Sequence, residues 1–181
     1  MQKVGIKNYL IEGVSGAGKT TVAEELRRRG YHVLHGDREL KYRGDPKTDK
    51  PLKEPVHESA RDKTVWQHEH LLWDIAKVKS VIADHSVPTS FFCGGSRNFD
   101  RFVDLLDGVF VLEVKDIETL YRRLDERVLL DPTDFGGKPE EQELVARLHR
   151  TKEDIPENGI SIDATAPLEN VVDEILRQVA M

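Results

Sequence analysis

A glycine-rich run that ends in a lysine and a threonine carries the clearest chemical signal in this sequence: Gly13-Val14-Ser15-Gly16-Ala17-Gly18-Lys19-Thr20. It fits G-x-x-x-x-G-K-[ST], in which glycines let the backbone turn tightly and bring successive N–H groups around a phosphate. The pattern predicts that Lys19 bridges the β and γ phosphates of a nucleotide and that the Thr20 hydroxyl binds Mg²⁺. The predicted nucleotide contacts in this loop are Gly13, Ser15, Gly16, Ala17, Gly18, Lys19, Thr20 and Thr21.

The elements beside this loop have the types that a phosphate-binding loop requires. The apolar run 9–11 predicts a strand before the loop, and the apolar spacing of residues 20–29 predicts a helix after it. Such a helix adds the positive end of its dipole to the phosphate site. This context argues against the alternative, a chance match to the pattern.

Short apolar runs alternate with amphipathic stretches along the whole chain, which is typical of βαβ units and a parallel sheet. The other predicted strands are 31–35, 89–93, 109–114 and 159–163, and the other predicted helices are 64–85, 98–106, 116–129, 140–152 and 168–179. The prolines and basic residues of segment 37–63 indicate an exposed, mobile stretch on the acceptor side, and turn-rich residues predict a lid at about 130–139.

Length and composition limit the function classes. The chain has 181 residues and a formal net charge of −6, which fits one domain over residues 1–181 and argues against a general nucleic-acid binder. It contains no apolar run long enough to span a membrane, and the residues before the motif show no apolar signal-peptide region, so we expect neither. The single cysteine, Cys93, excludes an internal disulfide and is more typical of a small buried residue than of a nucleophile. We therefore expect a cytoplasmic protein, a monomer or homodimer, with no membrane or nucleic-acid partner.

The loop, the chain length and the five-strand pattern together resemble the P-loop small-molecule kinases: nucleoside monophosphate, shikimate and gluconate kinases. The resemblance implies a three-layer α/β P-loop NTPase fold, with a five-stranded parallel sheet in the order 2-3-1-4-5, helices on both faces and a small lid. It also implies that ATP and Mg²⁺ are the cofactors and that the partner is a small-molecule acceptor.

Asp37 is the predicted acceptor-side carboxylate, because it follows the second strand, where parallel strands present their carboxyl ends. A carboxylate there can orient an acceptor hydroxyl and take its proton, or hold Mg²⁺ through water. The alternative is a solvated Gly-Asp turn. Many P-loop proteins carry a metal-side aspartate after a strand, but the third strand here ends in Cys-Gly-Gly, so Asp37 takes that role in this interpretation.

Other acceptor contacts rest on the resemblance. Shikimate kinases have a glycine run where this chain has Gly94 and Gly95, which implies a close backbone approach to the acceptor. Nucleoside monophosphate kinases grip the acceptor phosphate with an arginine near the position of Arg97; the alternative is an exposed arginine in a tight turn. The further basic residues Arg38 and Arg61 favour an anionic acceptor, although a solvated surface charge is as good an interpretation of Arg61.

Two arginines four residues apart, Arg123 and Arg127, lie on one face of the predicted helix that enters the lid. Adenylate and gluconate kinases have a similar R-x-x-x-R, which implies that Arg123 lies near the nucleotide and that Arg127 reaches the phosphates as the lid closes. The alternative is an ordinary charged helix. A turn with Ala164 and Pro167 resembles the segment that packs on adenine in several nucleotide kinases.

These observations predict transfer of the γ-phosphate of ATP to a small acceptor, with Lys19, Asp37 and Arg127 as the catalytic residues. A nucleoside or nucleoside monophosphate is the first expectation for the acceptor. A shikimate- or gluconate-like metabolite or an antibiotic hydroxyl is the alternative. A nucleotide-binding switch or ATPase remains as a second class of function, and a kinase of polynucleotide ends as a third.

Overall fold

The part of the chain that the structure describes contains seven strands. A computed structural model describes residues 6–181. The strands are β1 Lys7–Glu12, β2 His32–His35, β3 Lys41–Arg43, β4 Leu71–Trp73, β5 Thr89–Cys93, β6 Gly108–Glu113 and β7 Ile160–Asp163. Five of them form a parallel sheet in the order β2-β5-β1-β6-β7, and β3 and β4 form a small antiparallel pair. Counted within the large sheet alone, this is the predicted order 2-3-1-4-5, which is confirmed.

Six α-helices connect the strands: α1 Lys19–Arg28, α2 Ala60–Glu69, α3 Ile75–Ala83, α4 Ile117–Leu130, α5 Pro139–Thr151 and α6 Leu168–Ala180. Short side chains cap several of them, since an oxygen at the N-cap satisfies one of the free N–H groups of the first turn. The Ser59 hydroxyl accepts from the N–H of Asp62 at 3.0 Å, and the Asp116 carboxylate accepts from the N–H of Glu118 at 3.1 Å. Within residues 6–181, no helix combines the length and the apolar character needed to cross a membrane.

The sheet buries both of its faces, because successive side chains of a strand point to opposite sides. Tyr9 and Ile11 pack with residues of α1, α4, α5 and α6, whereas Leu10 packs on the other face with Val78 of α3 and Phe102. This two-sided burial explains why the central strands contain continuous apolar runs, Tyr9 to Ile11 in β1 and Phe91 to Cys93 in β5, as expected of a parallel sheet. It also fixes the carboxyl ends of β1, β2 and β5 side by side.

The predicted single helix over 64–85 is wrong. The structure divides this stretch into α2, β4 and α3, with Leu72 and Trp73 buried in the strand between them. The carboxylate of Asp74 accepts from the N–H of Lys77 at 3.2 Å and caps the second helix. An apolar spacing of three to five residues is satisfied by both arrangements, and the pairing of β4 with β3 decides between them.

Two further segments differ from their predictions. Residues 37–63 carry more regular structure than expected: a π-helical turn over Gly36–Leu40, then β3, then a turn closed by the bridge between Gly44 and Pro51. The predicted helix 98–106 is two 3-10 turns, Phe99–Arg101 and Val103–Leu105. The buried side chain of Asn98 accounts for the second difference, since it bonds the backbone of Trp73 and holds this segment against β4.

Candidate active site

The phosphate-binding loop lies between the end of β1 and the start of α1, as the motif requires. Gly16 and Gly18 have φ angles of +91° and +104°, which strain any residue with a side chain. The tight turn is closed by a hydrogen bond of 3.0 Å from the N–H of Ala17 to the carbonyl of Val14. Backbone N–H groups and the first turn of α1 are thereby placed to bind an anion.

Lys19, the motif lysine, is held at the loop in this structure by protein groups. Its ammonium donates to the carbonyl of Gly13 and lies 3.7 Å from a carboxylate oxygen of Glu12. The neighbouring Thr20 lines a small polar cavity of about 30 Å³ together with His35, Asp37, Arg38, Cys93 and Gly94.

That cavity brings together the two residues predicted to hold the metal, Thr20 and Asp37. Hydroxyl and carboxylate oxygens are the ligands that Mg²⁺ prefers, and it keeps several waters when bound. The cavity lies at the carboxyl ends of β2 and β5, so the residues present fit a hydrated Mg²⁺ beside the phosphate loop. Cys93 in its wall is fully buried, which raises the pKa of its thiol to about 12 and keeps it inert.

Glu12 is the residue that the sequence interpretation missed. It is the last residue of β1 and is buried, with one oxygen accepting the N–H of Gly13 at 2.9 Å and the other without a partner. Burial raises the pKa of its carboxyl to about 7, although the nearby Lys19 acts in the opposite direction. The available signal was a carboxylate directly after an apolar strand and directly before a phosphate loop.

The two arginines of α4 contact the phosphate loop. Arg123 donates to the carbonyls of Gly16 at 3.4 Å, Ala17 at 3.3 Å and Ala164 at 2.7 Å. It therefore joins the loop to the turn in which the resemblance places the adenine contacts. That turn continues to Pro167, the residue that precedes the first turn of α6.

Arg127 lies one turn further along α4. It donates to the Ser15 hydroxyl at 3.2 Å and to the carbonyl of Phe135 at 3.4 Å, so it connects the phosphate loop to the segment between α4 and α5. A further contact of this segment runs from the N–H of Gly136 to the Glu141 side chain at 3.2 Å. Arg127 therefore lies beside the phosphate loop in this structure.

The acceptor-side residues divide into two groups. Arg38, Gly94 and Asp37 line the same cavity, whereas Arg61 lies on the exposed side of α2 and pairs with Glu143 of α5 at 2.7 Å. The structure does not bring Arg61 to the other predicted contacts. A Cβ at Gly95 would lie 2.8 Å from the carboxylate of Glu12, so the close approach at this glycine involves Glu12 itself.

Arg97 follows β5 but does not extend into solvent. One of its amino groups donates to the carbonyl of Asp154 at 3.2 Å, and the other lies 3.8 Å from the carboxylate of the same residue. This partner comes from the segment after α5. A larger open groove of about 650 Å³ is formed by the segment before α2 and its first turn, and is lined by Glu54, Pro55, His57, Glu58, Ser59, Ala60 and Lys63.

Comparisons with known proteins agree with this architecture. A family model described as an AAA domain matches residues 10–143. A probable thymidylate kinase of Archaeoglobus fulgidus is 25% identical over 182 residues, which cover 91% of this chain and 90% of that protein.

Two solved structures show the same fold. A gluconokinase from Sinorhizobium meliloti aligns with a TM-score of 0.58 and 21% identity, covering 97% of this chain and 92% of that one. A shikimate kinase from Bacteroides thetaiotaomicron also aligns with a TM-score of 0.58, at 16% identity, and the alignment covers 97% of this chain and 99% of that one. The resemblance to P-loop small-molecule kinases that the sequence indicated is thereby confirmed.

Proposed function

This chain belongs to the AAA domain family, and from that premise we propose that it transfers the γ-phosphate of ATP to a small acceptor, with a nucleoside or nucleoside monophosphate as the first candidate. One observation carries the proposal. The phosphate loop, the cavity with Thr20 and Asp37, and the α4 arginines converge at one edge of the sheet. Phosphoryl transfer needs these three parts: a phosphate cradle, an acceptor-side carboxylate and a cation for the transferred group.

The loop backbone and Lys19 hold the nucleotide phosphates in this proposal. Lys19 is already at the loop, and exchanging the carbonyl of Gly13 for phosphate oxygens requires only a rotation of its flexible stem. Thr20 and Asp37 would hold Mg²⁺, which neutralises charge on the phosphate oxygens when bound. Arg127 stabilises the negative charge that spreads over the γ-phosphoryl oxygens.

Asp37 orients the acceptor hydroxyl and accepts its proton. Its position beside Thr20, in the wall of the cavity next to the phosphate loop, supports this role, because an acceptor hydroxyl that reaches Asp37 would face the phosphate that the loop holds. A general base must lie within hydrogen-bond reach of the proton that it takes. The glycine at position 94 has φ of +136° and brings backbone close to Asp37, so it keeps this wall free of a side chain.

The test of the proposal is ATP consumption with Mg²⁺ across nucleosides, nucleoside monophosphates, sugar acids, shikimate-like acids and aminoglycosides. We expect one acceptor class to raise ATP consumption strongly above the rate without acceptor. The Lys19→Ala variant should weaken ATP binding at least tenfold and remove that acceleration, since it deletes the cation at the phosphates. Slow ATP consumption that no acceptor accelerates would favour the switch or ATPase class instead.

Replacing Arg127 tests whether this arginine stabilises the transferred phosphoryl group. The Arg127→Ala variant should lower kcat by roughly tenfold to a hundredfold and change ATP affinity by less than about threefold, since the arginine acts on charge that develops in the transition state. Steady-state kinetics together with equilibrium ATP binding separate the two effects. Arg122→Ala, on the exposed side of the same helix, is the matched control. An equal loss in ATP affinity and in kcat/KM would make Arg127 a ground-state contact.

A further inference from the structure

His35 is a buried histidine to which the proposed function gives no role. It is the last residue of β2 and is 6% exposed, and its ring nitrogen Nε2 has no hydrogen-bond partner within residues 6–181. Folded proteins pair nearly all of their buried polar groups, so such an exception requires an explanation. The backbone N–H of the same residue is satisfied, since it donates to the Glu39 carboxylate at 2.6 Å. The unpartnered nitrogen therefore indicates a ligand that the fold itself does not provide.

The small cavity beside His35 indicates what that ligand is. His35 lines it together with Thr20 and Asp37, the two residues that fit a hydrated Mg²⁺. Its volume of about 30 Å³ has room for roughly two water molecules, because one water needs about 10–15 Å³. Mg²⁺ gives up its waters reluctantly and usually binds a protein through one or two oxygens, so it keeps several waters. A water bound to the metal is the ligand that this cavity can present to a buried imidazole.

The pairing of β2 with β5 places His35 beside the end of the third strand of the large sheet. His35 is the register partner of Cys93. Val33 and Cys93 pack in the same apolar cluster, and side chains two residues apart in a strand share a face, so His35 and Cys93 lie on one side of the sheet. The metal-side aspartate that many P-loop proteins carry after a strand has no counterpart here, since a thiol is a weak hydrogen-bond acceptor. An imidazole nitrogen on the neighbouring strand can accept that hydrogen bond instead.

We propose that Nε2 of His35 accepts a hydrogen bond from a water bound to Mg²⁺ and so positions the hydrated metal beside Thr20, Asp37 and the phosphates of ATP. The inference rests on the proposed function and adds one residue to its metal site. His35 is a positioning residue, since it acts on the metal through water and contacts neither ATP nor the phosphoryl acceptor. Partners of this outer kind contribute about 10- to 100-fold to metal affinity or activity.

The experiment measures how strongly Mg²⁺ promotes nucleotide binding at pH 8, where an ordinary imidazole is uncharged and has one accepting nitrogen. Calorimetry determines the Kd of the non-hydrolysable ATP analogue adenylyl imidodiphosphate with EDTA and with saturating Mg²⁺. The ratio of these two values, the Mg²⁺ coupling, should be at least tenfold in the wild type. In His35→Phe the coupling should fall at least fivefold, whereas the Kd with EDTA should stay within about twofold. His85→Phe, an exposed histidine before β5, is the matched control and should keep the full coupling.

His35→Gln separates the hydrogen bond from the shape of the side chain. Glutamine can place its amide oxygen about where Nε2 lies, so this variant should keep the Mg²⁺ coupling within about threefold of the wild type. A merely structural histidine would give another pattern, in which His35→Phe lowers Tm without nucleotide and weakens analogue binding equally with and without Mg²⁺. We expect His35→Phe to keep or raise Tm, because carbon replaces a buried nitrogen that has no partner.

Equal losses with and without Mg²⁺, an unchanged coupling in His35→Phe, or a His35→Gln variant no better than His35→Phe overturns the inference. Thermal melting first establishes that each variant folds, and His35→Leu serves in the same comparison if phenylalanine does not fit. A wild-type protein that binds the analogue without any response to Mg²⁺ also overturns the inference, while ATP-dependent transfer to an acceptor would still sustain the proposed function. Failure of the analogue to bind at all counts against the proposed function, and against this inference with it.

Discussion

The Asp37→Asn variant is expected to bind ATP normally and to lose phosphoryl transfer by about 10²- to 10⁴-fold, the range that a positioned general base contributes. Asparagine keeps the size of the side chain and one oxygen, so the cavity with Thr20 should keep its shape. It cannot accept a proton from the acceptor hydroxyl, and it is a weaker ligand for Mg²⁺. The expected loss therefore appears in kcat, whereas the affinity for ATP is expected to stay the same.

Single-turnover transfer at saturating ATP and Mg²⁺, with the acceptor that responds best, measures this loss directly. Asp100→Asn, an exposed carboxylate in the 3-10 segment after β5, is the matched control and should transfer at the wild-type rate. Raising the Mg²⁺ concentration separates the two roles of Asp37, because a metal-binding defect is rescued and a missing base is not. Retained turnover in Asp37→Asn would place the base elsewhere, with Glu12 as the nearest other carboxylate on the phosphate loop.

The fold was predictable from the sequence where burial alone determines the structure. The central strands of the large sheet are buried on both faces and contain continuous apolar runs. That property is local, so the predicted runs 89–93 and 109–114 matched the observed strands closely. The strand order came from the family resemblance and agrees with the structure. The prediction of one helix over 64–85 failed because β4 forms only by pairing with Lys41–Arg43, a strand about thirty residues away in the chain. A local spacing pattern carries no information about such a partner.

The residues of the candidate site could be predicted where a sequence motif determines the residue types. The contacts of individual charged side chains could not, because they depend on ion-pair partners from distant parts of the chain. The α4 arginines contact the phosphate loop. Their spacing predicted only a shared helix face, and the family resemblance implied the position beside the loop. The contacts of Arg61 and Arg97 depend on Glu143 and Asp154, which are distant in the chain. Glu12 went unrecognised because one carboxylate after a strand resembles the start of any loop, and only the packed structure shows that it is buried.

Glu12→Gln is expected to raise the free energy of unfolding strongly at pH 8 and only slightly at pH 5. Burial raises the pKa of this carboxyl from an ordinary 4.5 to about 7. Between these values the folded protein binds more protons than the unfolded chain, so stability falls as the pH rises and is constant above about pH 7. At 1.36 kcal/mol for each pH unit, the accumulated cost is about 3 kcal/mol, which glutamine avoids.

For a domain of this size, such a gain corresponds to a rise in Tm of ~8 °C at pH 8, measurable by calorimetry at the two pH values. Glu25→Gln is the control, because its expected change in Tm at pH 8 has the opposite sign. Hydrogen bonds from Arg28 and Arg29 lower the pKa of Glu25 to about 2, so its charge stabilises the fold above pH 4.5 and its removal should lower Tm at pH 8. A Glu12→Gln variant that gains nothing at pH 8, or gains equally at pH 5, would contradict the assignment.

The reason to keep a destabilising carboxylate at neutral pH lies in its contacts. Glu12 accepts the N–H of Gly13 at 2.9 Å and holds the ammonium of Lys19 at 3.7 Å, so it fixes two groups of the phosphate loop before any nucleotide arrives. The more stable Glu12→Gln variant should therefore be the less active one, with a lower kcat/KM for ATP, because its lysine lacks the carboxylate that orients it. Stabilisation gained by removing charge from an active site is commonly accompanied by lost function. A variant both more stable and fully active would show that Glu12 has no part in the reaction.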